Sequence, residues 1–145
     1  MKSSLVRLSA AVLFCLALLA AAVARPLSVR NQVSRFEQGE PATRVLELGQ
    51  AALPALIERA LAPDCVNRER VVELLRHTAP QVAYQAFTGT LKGYRPGCRT
   101  CAAHALGILG DPGARPYLEL AAGSEEPSLA RAAAQALERL EGSPK

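Results

Sequence analysis

A chain of 145 residues has room for one domain. Half of it is apolar, yet only 4% is aromatic and tryptophan is absent; a sheet core would draw on β-branched and aromatic side chains, so a helical core of Ala, Leu and Val fits better. Of the formal charge of +4, Lys2 and Arg7 lie in the N-terminal leader, and Lys92, Arg95 and Arg99 are spread along one loop, so no cluster suited to gripping phosphates remains and nucleic acid is not an expected partner.

The chain opens with MKSSLVRLSAAVLFCLALLAAAVARP. A basic start, an apolar run from Leu8 to Ala24 and the A-x-A pattern Ala22-Val23-Ala24 are the three parts of a secretory signal peptide. The run only reaches the lower limit of a membrane span, roughly 17–25 residues. Residues 1–24 are therefore expected to be cleaved, with an uncleaved anchor as the rival, and the product to be exported to a periplasmic or extracellular space without a membrane segment. A flexible stretch is expected over 25–33, a helical repeat domain over 34–141 and a short tail over 142–145.

Within that domain the apolar spacing predicts helices over about 34–48, 51–61, 67–78, 80–91, 98–109, 113–122 and 128–141. Gly49, Pro63-Asp64, Pro96-Gly97, Gly110-Asp111-Pro112 and Pro127 mark the turns. Nothing alternates as a strand would. The segments beginning at Asn67, Cys98 and Leu129 repeat with a period of 31 residues. Val71, Ala102 and Ala133 then coincide, as do Val72, Ala103 and Ala134, then Leu74, Ala105 and Ala136, then Leu75, Leu106 and Leu137. These positions, i, i+1, i+3 and i+4, share one helix face. The following helices align Ala52 with Ala83 and Ala114, and Leu56 with Phe87 and Leu118. Pro54 and Pro116 sit early in their helices, where a missing N–H costs little.

These residues carry a resemblance. The pattern R-x-x-A-A-x-A-L-G-x-L-G-D-x-x-A-x-P-x-L is filled by Arg99, Ala102, Ala103, Ala105, Leu106, Gly107, Leu109, Gly110, Asp111, Ala114, Pro116 and Leu118. It resembles the consensus of HEAT-like repeats of the phycobilisome-lyase type, with weaker matches spanning roughly Ala42 to Leu140. The resemblance implies an all-α, short right-handed α-solenoid of the armadillo-like kind, about three and a half repeats long, whose second helices line a concave, protein-binding side. It further implies that Arg68 and Arg99 bind a neighbouring loop acid, for which Asp64 is at hand. Some relatives serve lyases, which leaves an accessory subunit of a lyase or assembly factor as an analogy.

Past the leader stand Cys65, Cys98 and Cys101, and export favours a disulfide with one thiol left over. Equivalent ends of stacked repeats lie side by side, which favours Cys65–Cys98, then Cys65–Cys101, with Cys98–Cys101 third. A thioredoxin-type reading of Cys98-Arg99-Thr100-Cys101 lacks its βαβ context. A zinc site from Cys65, Cys98, Cys101 and His104 has suitable ligand types, but Cys98 and His104 diverge by about 120° around the helix. His104 is equivalent by repeat to Glu73 and Gln135, so its slot is expected to face solvent.

The function expected is a non-enzymatic, exported module that binds or scaffolds another protein, with no cofactor and no resident metal. The contact residues expected are Arg59, Tyr84, Gln85, Arg115, Tyr117 and Glu119, second-helix positions left over by the core and including types enriched in interface anchors. The competing class is a thiol/disulfide or zinc protein built on the three cysteines.

Overall fold

Ala and Leu recur every three or four residues through most of this chain, and each such stretch folds as a helix with one buried face. The computed structural model describes Val12, residues 27–94 and residues 97–142. Residues 27–37 are helical and form α1. There follow α2 (Thr43–Glu47), α3 (Leu53–Ala60, led in by the 3-10 turn Gly49–Ala52), α4 (Arg68–Thr78) and α5 (Pro80–Leu91). Then come α6 (Arg99–Leu109), α7 (Arg115–Ala122, led in by the 3-10 turn Pro112–Ala114) and α8 (Pro127–Gly142). There is no strand among the described residues.

Three hairpins, α2–α3, α4–α5 and α6–α7, stack in order, and α8 closes the row. The first helices α4, α6 and α8 pack on one another as a spine, and each second helix lies against the spine. The repeat slots are filled as the period requires. Val71, Ala102 and Ala133 are fully buried, as are Ala83, Ala114, Phe87 and Leu118, with Ala52 and Leu56 nearly so. Three slots depart in one repeat each: Ala134 is exposed where Val72 and Ala103 are buried, Leu74 is half-buried beside buried Ala105 and Ala136, and Leu137 is half-buried beside buried Leu75 and Leu106. α8 packs on α6 and α7, and its outer side faces solvent.

The hairpin turns are short, and their chemistry is local. Ala79 caps α5 with φ −153° and ψ 60°, outside the helical region that a residue before proline disfavours. In the third hairpin Gly110 ends α6 with φ 74°, a left-handed cap that costs glycine little. Asp111 then accepts a hydrogen bond from the Gly113 N–H at 2.8 Å and starts the next turn. Gly107 serves a different end. A Cβ there would stand 2.8 Å from the Cα and Cβ of Ala136, so only glycine lets α6 and α8 approach this closely.

Two expectations need correction at the N-terminal side. The helix foreseen over 34–48 is two helices, broken over residues 38–42, where Gly39 takes φ 115° and Pro41 follows. The stretch 25–33, expected to be flexible, is helical from residue 27, because Val33 and Phe36 form an apolar face that the rest of the domain buries. Apart from Val12, the predicted signal segment 1–24 lies outside the described residues, as do residues 143–145 of the tail. Among the described residues no helix is long and apolar enough to cross a membrane.

Candidate functional site

The second helices do not close up as the first helices do. α3 packs on α4, and α5 packs on α4 and α6, but α3 and α5 have little direct contact. The gap between them is a groove of about 1020 Å³. One wall is the i, i+3/i+4 face of α3 and its lead-in turn: Gln50, Leu53, Pro54, Ile57, Glu58 and Leu61. The other is Val82, Ala86 and Thr90 of α5, and Ala62, Pro63, Gly97 and Cys98 close the end. Val82, on the α5 wall, is 46% exposed, a large apolar side chain held in water. Among the described residues the one ionisable side chain in the lining, Glu58, is already paired with Arg30 at 3.0 Å.

At the groove's end Cys98 is the N-cap of α6, with an extended backbone, and its Sγ accepts the Cys101 N–H at 3.0 Å. Its disulfide partner in the structure is Cys101, one turn inside the helix with a Cα separation of 5.1 Å, and among the described residues Cys65 is the free thiol. The pairing preferred from repeat stacking, Cys65–Cys98, is thus not the one formed. Cys65 is instead drawn to Glu37.

Glu37 is the polar hub of the N-terminal end. Its side chain is only 2% exposed. It accepts hydrogen bonds from the Arg59 guanidinium and from the backbone N–H groups of Val66 and Asn67. Burial alone would raise its carboxyl, but hydrogen bonds from Arg59, Cys65, Asn67 and Val66 hold it down to about 2. Burial, and then the Glu37 carboxylate, push the Cys65 thiol up to about 11. Arg59 also holds Asp64 at 3.0 Å.

Arg68 and Arg99 do not bind a loop acid, the role expected of them, because Asp64 belongs to Arg59. Arg68 donates to the carbonyls of Ala60 and Ala62, both at 2.8 Å, and Arg99 to that of Leu91 at 3.0 Å. Each arginine thus covers carbonyl groups at the end of the preceding second helix, groups that have no partner within that helix.

His104 is half-buried rather than facing solvent. It shares a cleft with Cys65, Arg68 and Arg139, and burial followed by the charges of those two arginines lowers its pKa. The four residues considered for zinc do not gather. Cys65 and His104 share that cleft, Cys98 opens on the groove, and Cys101 is buried; no group of three or more metal-binding side chains converges among the described residues.

The six contact residues read from sequence are scattered. Arg59 is engaged by Glu37 and Asp64. Tyr84 braces the next hairpin, its hydroxyl donating to Gly113 O at 3.1 Å. Arg115 pairs with Glu141 at 3.2 Å and more loosely with Glu119. Tyr117 lies under the Lys92 ammonium, 3.9 Å from the ring centroid. Gln85 and Glu119 are exposed. None of the six lines the groove. The apolar residues that do, the stripe Leu53, Ile57 and Leu61, carry in the sequence only their spacing of four residues, which reads equally well as core.

Helical hairpins stacked in register around a single alanine–leucine core define an α-solenoid. A family model for HEAT repeats matches residues 53–138, more than half of the chain, and the chain belongs to that family. No curated protein and no solved structure matches it.

Proposed function

We propose that the chain is an exported HEAT-repeat scaffold that binds an apolar, helical or extended segment of another protein in the groove between α3 and α5. The observation that carries this reading is the groove itself. HEAT repeats commonly mediate protein interactions. Here the apolar walls stay open to water at a place where the neighbouring helices could have closed over them. Exposed apolar surface of this kind is costly to a monomer and is the usual mark of a docking face. Among the described residues the lining leaves no unpaired charge to recognise a polar ligand, which favours an apolar occupant. Recognition then follows the helix-in-groove mode, with anchors at i, i+3 or i+4.

Export rests on the leader sequence: its basic start, apolar run and Ala22-Val23-Ala24 end. N-terminal sequencing of protein recovered from the cell envelope or medium should begin at Arg25, and a chain starting at Met1 in that fraction would overturn cleavage. The binding reading is tested at Val82, which is exposed and can carry a charge without disturbing the core. Val82→Glu should keep the circular dichroism of the parent and weaken binding of an apolar helical peptide by roughly tenfold or more, about 1.4 kcal/mol. Equal binding by the two chains would place the contact elsewhere. A co-purified lipid filling the groove in native mass spectrometry would replace the peptide with a small apolar ligand.

A further inference from the structure

The groove ends on a disulfide, and the two sulfurs of that disulfide are unequally placed. Cys98 lines the groove and is half-exposed, whereas Cys101 is only 5% exposed and sits inside the first turn of α6. A nucleophile arriving along the groove therefore meets the Cys98 sulfur first. We propose that Cys98–Cys101 is a covalent latch: a cysteine in the apolar segment that occupies the groove exchanges with this disulfide and becomes bonded to Cys98. The proposal rests on the groove reading above and specifies the partner further, as an apolar segment with a free cysteine.

The exchange balances with no outside oxidant. The partner's thiolate attacks the Sγ of Cys98, a partner–Cys98 disulfide forms, and the Cys98–Cys101 bond breaks. The electron pair leaves on the Sγ of Cys101, which takes up a proton from solvent. In reverse, the Cys101 thiolate attacks Cys98, and the partner leaves as a thiolate. The return is intramolecular: Cys101 stands one turn from Cys98, with Cα atoms 5.1 Å apart, so its thiolate stays within reach of the Cys98 sulfur once the partner is attached. Cys65 does not compete. Its thiol is tied to Glu37 and lines the other cleft.

The test uses the full-length oxidised chain and two synthetic peptides, each with one free cysteine, one rich in leucine and alanine and one rich in serine and glycine. Mixtures are quenched in acid at intervals and mapped by mass spectrometry without reduction. The adduct is expected at Cys98, forming roughly tenfold faster or more with the apolar peptide, because docking raises the local thiol concentration. Val82→Glu should bring the apolar peptide down to the rate of the polar one. Equal rates in the parent chain, or adducts chiefly at Cys65 or Cys101, overturn the latch. A serine version of the apolar peptide, followed by fluorescence anisotropy, separates the two claims. If it binds the parent chain and Val82→Glu abolishes that binding while no Cys98 adduct forms with the cysteine version, the groove stands and the latch falls. If it does not bind at all, both fall.

Discussion

Glu37 has five hydrogen-bond interactions converging on a side chain that water hardly reaches. Burial opposes its ionised form, and the donors around it more than offset that, taking the carboxyl from an ordinary 4.5 to about 2. A carboxyl depressed on folding contributes stability above its unfolded pKa and loses it as pH falls towards the folded one. The contribution is therefore complete above pH 4.5 and gone near pH 2. Its size is about 3 kcal/mol, from a shift of that width. Glu37→Gln should cost about this much at pH 7, and its stability, followed by urea unfolding between pH 7 and pH 3, should fall less steeply with acid than that of the parent. Parallel acid limbs would remove Glu37 from the account. At Gly107 two effects compete. Alanine is the better helix former by about 1 kcal/mol, but its Cβ would collide with α8 backbone at 2.8 Å. Overpacking against backbone costs about 1–3 kcal/mol, so Gly107→Ala should lower the melting temperature, and a rise would mean that α8 yields easily.

At the scale of an element, helix ends repay attention more than helix middles. Arg68 and Arg99 hold the closing carbonyls of α3 and α5, so one residue of each repeat finishes the helix of the repeat before it. Arg99→Ala should cost about 1.5–3 kcal/mol, as loss of a charged hydrogen bond does. It should also speed amide exchange in the last turn of α5 ahead of the rest of that helix; uniform acceleration would instead indicate general loosening. From α3 onward the helix positions were legible in the sequence to within a residue or two, because proline, glycine and the apolar face agree at each boundary. The break between α1 and α2 was not read, although Gly39 and Pro41 mark it and Phe36 and Val45 would lie on opposite faces of one continuous helix at about 100° per residue. Nor was the cysteine pairing. Repeat spacing brings Cys65 and Cys98 to equivalent turns, but what decides is a local feature, the extended N-cap backbone of Cys98, which sets it one turn from Cys101.

Across the whole molecule, three and a half hairpins share one core, and a stack this short is near the minimum for mutual burial. Damage at its centre should therefore spread to both ends. Leu106, fully buried in the middle helix of the spine, should cost about 2–5 kcal/mol when cut to alanine. Unfolding should remain a single transition by both circular dichroism and calorimetry. A melting temperature within a degree of the parent would show Leu106 to be outside the core, and two separated transitions would show the ends folding alone. The period of 31 residues was enough to read the architecture, because most buried slots recur with it, as Val71, Ala102 and Ala133 do. The groove was not readable in the same way. A half-buried apolar stripe on α3 looks identical in sequence whether the next second helix covers it or stands away from it.

The Cys65 thiol offers a chemical stopwatch for the N-terminal end. With its pKa near 11, about one molecule in ten thousand carries the thiolate at neutral pH, so alkylating reagents should scarcely touch it while α1 stays docked. Each time α1 lifts away and takes Glu37 with it, the sulfur reverts to an ordinary, reactive cysteine. The labelling rate of Cys65, read by peptide mapping, then reports how much of the time α1 stands away or, with reagent fast enough to outrun its return, how often it leaves.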